Sequence, residues 1–417
     1  GALLIKVGLI IYDSFSRGGG RVPRHAFHGR RRSLQLLPDL NPDVKYTATY
    51  WDASLRDPER LGLDLVRDGV ALGGSRARAA NYTSAVGTQG GAVVLRDEAT
   101  GEEFPFTASV VLNAAGPWTD LANDALGKPT RYMGGTKGSH IVLDHPELLQ
   151  ATGGRELFFE HSDGRIVLIY PLNGRVLVGT SDLEHDMSEP AVCTEEEVDY
   201  FLDLIGHVFP TIPVDRSQIV HRYSGVRPLP GHGDIAAGFV SRDYRIEESS
   251  LPAAAVPVLS LVGGKWTTFR AVAARLTDEL LSRIGKTRVR STKGLPIGGA
   301  VGFPRTDPER AEWVHQHLSD FGVEQGTRML HRYGTHALAV AAAIREDDDD
   351  APLSSLPRFT SGEFRFIARH ESVVHLDDVL LRRTNIGFRG EATPEVVEEV
   401  ADAIADVMGW DAAARRS

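Results

Sequence analysis

The stretch at residues 256–284 constrains the fold most. Residues 256–262 (VPVLSLV) form an apolar run of strand length, Gly263-Gly264 break it, and Lys265 follows. Thr267 and Thr268 suit a helix cap, and beyond them Phe269, Val272, Ala273, Leu276, Leu280 and Ile284 recur at the spacing of one helical face. A strand, a glycine turn and a helix N-terminus together make a seat for negative charge. Backbone N–H groups and the helix dipole point outward there, and Lys265 adds a full positive charge. On these residues alone, an ordinary strand-to-helix turn with a surface lysine is an equally good account.

Composition narrows the class. A chain of 417 residues has room for two or three domains, and 42% hydrophobic with 24% charged residues is a globular, soluble balance. The net charge of -10 argues against nucleic acid as a partner. Cys193 is the one cysteine, so no internal disulfide forms and thiolate metal sites are ruled out; no metal is expected. No apolar run reaches the roughly 20 residues of a membrane span, and no signal peptide is visible. The chain begins Gly1-Ala2-Leu3 and its first methionine is Met133, which predicts a further segment upstream.

Along the chain, residues 3–12 are apolar enough for a buried helix or strand. Residues 17–32 carry Arg17, Arg21, Arg24, Arg30, Arg31 and Arg32 without an acid, and read as a solvated loop or as a contact for anionic lipid headgroups. Residues 45–51 alternate like a strand. Asp57-Pro58 opens a helix with the apolar set Leu61, Leu65, Val66 and Val70. A strand follows near residues 79–86. Residues 91–96 and 103–106 form a hairpin closed by the turn at 97–101, and the run 108–115 (ASVVLNAA) is a buried strand entering the tight turn Gly116-Pro117-Trp118. In an open α/β sheet, ligands bind at the carboxyl ends of such strands.

The middle third reads as a mostly antiparallel sheet inserted into the α/β domain. Its strands are expected at residues 139–143, 157–160, 165–170, 175–179, 219–223 and 235–241. Thr194 with Glu197, and Thr306 with Glu309, are capping boxes that open helices. From about residue 291 the chain turns helical, ending in a helix at Thr393-Pro394 with Val396, Val397, Val400, Ile404 and Val407 on one face. The run Asp347 to Asp350 reads as a solvated loop.

Several familiar motifs fail. No G-x-G-x-x-G follows a predicted strand, and the glycines at 298–302 lack both the strand and the later ribose-binding acid. Gly285-Lys286-Thr287 resembles the end of a P-loop, but Leu280 stands where its first glycine is needed. His370-Glu371 with His375 is too long for a zincin, because the two histidines do not share a helix face.

Seven segments in order resemble the FAD-dependent glycerol-3-phosphate dehydrogenases of the D-amino-acid-oxidase-like flavoprotein group. They are residues 111–118 (VLNAAGPW), 136–142 (TKGSHIV), 179–182 (GTSD), 223–229 (YSGVRPL), 241–244 (SRDY), 263–268 (GGKWTT) and 377–384 (DDVLLRRT). The resemblance implies an α/β (α+β mixed) fold. Its D-amino-acid-oxidase-like FAD domain, N-terminally incomplete, would span about 55–118 and 255–290. An antiparallel-sheet substrate domain would span about 1–54 and 119–254, and a helical C-terminal domain 291–417. Family members begin with a Rossmann unit and its glycine fingerprint, which this sequence does not contain.

The resemblance implies oxidation of sn-glycerol 3-phosphate to dihydroxyacetone phosphate, with hydride passing to FAD and electrons to a quinone. Arg227 and Arg242 match the family's substrate binders, and a phosphate dianion suits the bidentate guanidinium. Lys265 would lie beside flavin and substrate, with Thr268 as a hydrogen-bond donor. Ala115, Gly116, Pro117, Gly263, Gly264, Lys265, Trp266 and Thr267 would border the cofactor. Two roles are open to His140, as base for the hydroxyl proton or as a structural histidine bonded to the backbone. Asp182 either positions an Arg or His, or caps its turn.

Expected partners are glycerol 3-phosphate and a quinone, with an anionic membrane surface and a second copy of the chain as further candidates. The expected place is the cytoplasm, peripheral to the cytoplasmic membrane. Two alternatives stand beside this reading: the oxygen-using glycerol-3-phosphate oxidase, and a truncated non-catalytic fragment. Amine oxidation is disfavoured, because Arg227, Arg242 and Lys265 suit phosphate better than a carboxylate.

Overall fold

The computed structural model describes residues 2–16, 22–161, 164–231 and 243–411. Helix α1 (Ala2–Ser16) leads to a short hairpin of β1 (Ala26–Gly29) and β2 (Tyr46–Thr49) around α2 (Arg30–Leu36), and then to α3 (Pro58–Gly73). A meander of β3 (Thr83–Gln89), β4 (Ala92–Asp97) and β5 (Glu103–Phe106) comes next, with the expected hairpin pairing of Arg96 and Glu103. After it stand β6 (Val111–Asn113) and α4 (Thr119–Ala125).

The inserted sheet follows. It contains β7 (Thr136–Leu143), β8 (Leu157–Glu160), β9 (Ile166–Leu172), β10 (Arg175–Gly179), β11 (Leu183–Glu184) and β12 (Ile219–Arg227), with α5 (Pro146–Ala151) and α6 (Glu195–Val208) between strands. Then β13 (Arg245–Ser250) pairs with β14 (Pro257–Val262), and β14 runs parallel to β6. Helix α7 (Phe269–Arg283) leaves β14. The C-terminal part is α8 (Asp307–Leu318), α9 (Gly322–Tyr333), α10 (Ala337–Arg345), α11 (Ser361–His370), a π-helical turn (Asp378–Arg383) and α12 (Pro394–Met408).

The inserted sheet owes its two faces to the strand period of two. Ile141 and Leu143 of β7, Val167 and Ile169 of β9, and Val176 and Val178 of β10 all point to one side. There they pack against Phe201, Leu204 and Ile205 of α6 and against Phe209 just after it. Each such fully buried side chain contributes about 1.5–3 kcal/mol. Both capping boxes form: Thr194 Oγ1 accepts from Glu197 N–H while Glu197 accepts from Thr194 N–H, and Thr306 with Glu309 does the same. The other face of the sheet carries the alternate residues, among them His140, Gly179 and Tyr223.

Four local expectations change. Helix α1 is not buried: Leu3 is 78% and Phe15 83% exposed, because among the described residues nothing packs on most of its surface. Helix α3 buries Arg60 and leaves Val66 half exposed. The Asp347 to Asp350 run is tied down, with Asp347 accepting from Arg365 Nε (2.6 Å) and Asp350 from Gly362 N–H (2.7 Å). Neither Thr267 nor Thr268 caps α7 through its side chain. The predicted strand at 235–241 lies outside the described residues, as do Arg17 and Arg21.

Arg60 explains how α3 meets the C-terminal helices. Its guanidinium forms a fork on the Glu371 carboxylate at 2.6 and 2.8 Å, with both side chains nearly sealed from solvent. Arg60 also donates to the Arg383 carbonyl, which the π-helical turn presents and which Arg332 shares at 2.7 Å.

Candidate active site

The open face of the inserted sheet gathers the first half of the site. Register puts Gly179 on one side of His140 and Tyr223 on the other, and residues in register share a face. Tyr223 stacks on the imidazole with centroids 5.0 Å and planes 12° apart. Opposite, a Cβ on Gly179 would overlap the imidazole at Cδ2 and stand 2.8 Å from Nε2, so glycine is what leaves room for the ring and its Nε2 edge. His140 Nδ1 is buried and has no hydrogen-bond partner. With Nε2 as the accepting nitrogen, the neutral ring carries its proton on this buried Nδ1. Burial first, and then the charge of Arg227, push the His140 pKa down to about 4, so the ring is neutral at pH 7.

Arg227 ends β12 opposite Thr136. Its side chain crosses β7 above Gly138, where a Cβ would come within 2.7 Å of Nη1. On the far side it donates through Nη1 to Asp182 Oδ1 (3.0 Å). Through Nη2 it donates to Thr180 Oγ1 (2.8 Å) and the Ser181 carbonyl (3.0 Å). Asp182 therefore orients the arginine. Two glycines, Gly138 and Gly179, thus clear the space in which a cation and a neutral imidazole face the same side.

The inner face braces this arrangement. Lys137 Nζ and Glu197 Oε2 form a buried pair at 2.8 Å. Glu197 also accepts from Ser181 Oγ (2.5 Å), and Ser181 Oγ accepts from Ser139 N–H (2.9 Å). Burial raises the Glu197 carboxyl, but the bonds from Lys137, Ser181 and Thr194 outweigh it and bring the pKa to about 2.

The second half lies where the parallel strands end. Asn113 of β6 and Ser260 of β14 are in register, so Gly116 and Gly263-Gly264 turn away beside each other. All three have positive φ: +62°, +79° and +118°. A Cβ on Gly116 would meet nothing within 4 Å, and one on Gly264 only Tyr244 Cβ at 3.9 Å. Lys265, Trp266, Thr267 and Thr268 are exposed, and the Thr268 hydroxyl donates to the Lys265 carbonyl at 3.0 Å. A groove of about 440 Å³ runs along β6, lined by Val93, Phe106, Val111, Ala114, Ala115 and Leu126 among others. The turn Gly116–Trp118 packs on β12, so the two halves adjoin. Glycine turns with room at Gly116 and Gly264, an exposed lysine and an apolar groove suit the edge and face of a flavin ring.

Comparison with known proteins gives the family. Residues 13–279 match the FAD dependent oxidoreductase family. The chain belongs to that family. Residues 290–415 of this oxidoreductase match a second family, the C-terminal domain of alpha-glycerophosphate oxidase. A glycerol-3-phosphate dehydrogenase of Synechocystis sp. is 28% identical over 97% of this chain and 75% of its own length. The aerobic glycerol-3-phosphate dehydrogenase of Bacillus subtilis is 25% identical over 100% and 76%. The structure of the glycerol-3-phosphate dehydrogenase from Bacillus halodurans complexed with FAD superposes with a TM-score of 0.75 at 23% identity, covering 94% of this chain and 77% of that one. That likeness establishes the D-amino-acid-oxidase-like fold. The oxidoreductase is an enzyme, and its cofactor is FAD.

Of the residues singled out by sequence, His140 and Arg227 meet on the open sheet face. Ala115, Gly116, Pro117, Gly263 and Gly264 meet at the parallel-strand ends, with Lys265, Trp266, Thr267 and Thr268 exposed beside them. Arg242 lies outside the described residues. Sequence reasoning missed Gly138, Gly179, Tyr223 and Glu197 as site residues. The capping box marked Glu197 as a helix start; the other three lie within the quoted family segments, but what each does beside His140 and Arg227 follows from register, which is not a local signal.

Proposed function

We propose that this oxidoreductase oxidises the secondary alcohol of sn-glycerol 3-phosphate to dihydroxyacetone phosphate. The observation that carries the reading is the pairing of a neutral, caged His140 with the anchored Arg227 on one open face. A phosphorylated secondary alcohol needs a cation for its phosphate and an unprotonated acceptor for its hydroxyl. When bound at Gly116, Gly263 and Gly264, FAD supplies a hydride-accepting ring. Arg227, with Arg242 and Lys265 as its expected helpers, binds the phosphate and fixes the carbinol carbon. His140 takes the hydroxyl proton at Nε2, on the ring edge for which Gly179 leaves room. The phosphate dianion, arriving next to Arg227, offsets the arginine's share of the downward shift, the smaller part beside burial, and so strengthens the base when substrate is present.

We further propose a quinone as the final electron acceptor and peripheral contact with an anionic membrane from the cytoplasmic side. Supporting this are the exposed Leu3, Leu4, Ile10 and Phe15 of α1 and the exposed Arg24, Arg30, Arg31 and Arg32 nearby, an apolar-plus-basic combination suited to a lipid interface. The deciding test is the absorbance of the FAD-loaded chain. Bleaching by glycerol 3-phosphate but not by glycerol is expected, followed by recovery on adding a soluble quinone. No bleaching by either alcohol would overturn the substrate reading, and recovery by oxygen with release of peroxide would replace the quinone. Flotation with anionic but not neutral vesicles is the expected membrane result.

A further inference from the structure

We propose that the C-terminal helical region positions the His140 ring through a column of aromatic side chains, Phe388, His221 and Tyr223. Each step is a ring contact. Phe388 and His221 have centroids 6.5 Å apart, His221 and Tyr223 5.9 Å, and Tyr223 and His140 5.0 Å. His221 and Tyr223 stand two residues apart on β12 and so on one face. Register places His221 against Val142 and Tyr223 against His140.

The far end of the column is anchored. Residues 387–391 follow the π-helical turn and clamp the β9–β10 hairpin. Arg175 Nε donates to the Arg389 carbonyl at 3.0 Å, Arg389 donates to the Asn173 carbonyl, and a Cβ on Gly390 would stand 3.1 Å from the methyls of Val220. Arg389 also pairs with Glu391 at 3.0 Å. The near end has little else. His140 has neither ring nitrogen bonded among the described residues, and glycine borders it on the β10 side. A ring without hydrogen bonds is oriented by its packing alone, and Tyr223 is the aromatic ring stacked on it. Because Tyr223 is itself 38% exposed, it is steadied from behind by His221 and Phe388. Among the described residues, the charged and titratable groups acting on this column are Arg227 on His140, with Asp182 behind it as the arginine's partner, Glu59 of α3 on Tyr223, and His221 within the column itself.

This inference rests on the reading of His140 as the base, and its test separates the two. The FAD-loaded full chain and Phe388→Ala are compared for kcat and KM with glycerol 3-phosphate. The His140 titration is followed in parallel by NMR of isotope-labelled histidine. Expected for Phe388→Ala are a roughly tenfold lower kcat, an unchanged KM, since Arg227 is not touched, and a His140 titration moved up toward 6.5 as water reaches the loosened ring. Phe388→Tyr, which keeps the ring, should restore both; if Phe388→Ala does not fold, Phe388→Leu replaces it. A wild-type kcat together with an unmoved His140 titration in a folded variant overturns the column. If the parent chain does not turn over glycerol 3-phosphate but the titration still moves, the column stands and only the reaction assignment falls.

Discussion

Replacing His140 with asparagine tests the electrostatics of the site through stability, with no need for turnover. An ordinary histidine titrates near 6.5, whereas folding pushes His140 down to about 4. Above 6.5 both the folded and the unfolded chain carry a neutral ring, and the group has no effect on stability. As pH falls from 6.5 toward 4, the unfolded chain takes up a proton that the folded protein refuses, so stability is lost through that window. Below 4 both states are protonated and the loss levels off. The gap corresponds to roughly 3 kcal/mol when fully expressed, and to roughly 2 kcal/mol near pH 5. Asparagine preserves size and polarity but does not titrate here. Urea unfolding of both proteins at about pH 7 and about pH 5 gives two losses, and their difference cancels every other titrating group that the substitution leaves alone. The wild type should lose roughly 2 kcal/mol more than His140→Asn. Equal losses would refute the argument that burial beside Arg227 keeps the imidazole neutral.

Other substitutions probe the surroundings. Gly179→Ala drives a methyl into the His140 ring and should lower kcat by about a hundredfold and stability by about 1–3 kcal/mol in urea unfolding; unaltered turnover in the folded variant would show that Nε2 is not the acceptor. Gly138→Ala displaces the Arg227 guanidinium and should raise KM for glycerol 3-phosphate about tenfold, or about 1.4 kcal/mol, as read by steady-state kinetics. Glu197→Gln strands the Lys137 ammonium in the interior and should cost about 3–5 kcal/mol in urea unfolding. Arg60→Met should cost a similar amount by leaving Glu371 buried with only Arg67 at 3.7 Å, and adding Glu371→Leu should recover much of it.

The legible parts of the sequence were local or motif-borne. Thr194 and Thr306 announced their helices because a capping box is closed within four residues. The strands β7 to β10 followed from apolar runs between turn residues, and the strand–glycine–helix turn at Gly263 was visible as such. His140 and Arg227 came from family segments, and the structure adds why they belong together: β7 and β12 pair in register. What stayed hidden depends on distant partners. Arg60 looks like a surface residue of an amphipathic helix until Glu371, 311 positions away, supplies its counter-charge. Helix α1 has the composition of a core element, yet burial is decided by what packs against it. The glycines at 138 and 179 carry no positive φ, so their purpose appears only once the side chains beside them are placed.

The parallel pairing of β6 with β14 has a consequence for how the protein assembles. Val111 meets Val258 only after the entire intervening sheet has been threaded between them, and long-range parallel pairing of this kind is slow, because chain entropy must be surrendered before the contacts reward it. The glycine turns at Gly116 and Gly263-Gly264, which follow these two strands, are therefore expected to form late. A lesion deep in the inserted sheet, at the Lys137–Glu197 pair for example, should surface as poor retention of FAD during biogenesis, although it touches neither glycine turn.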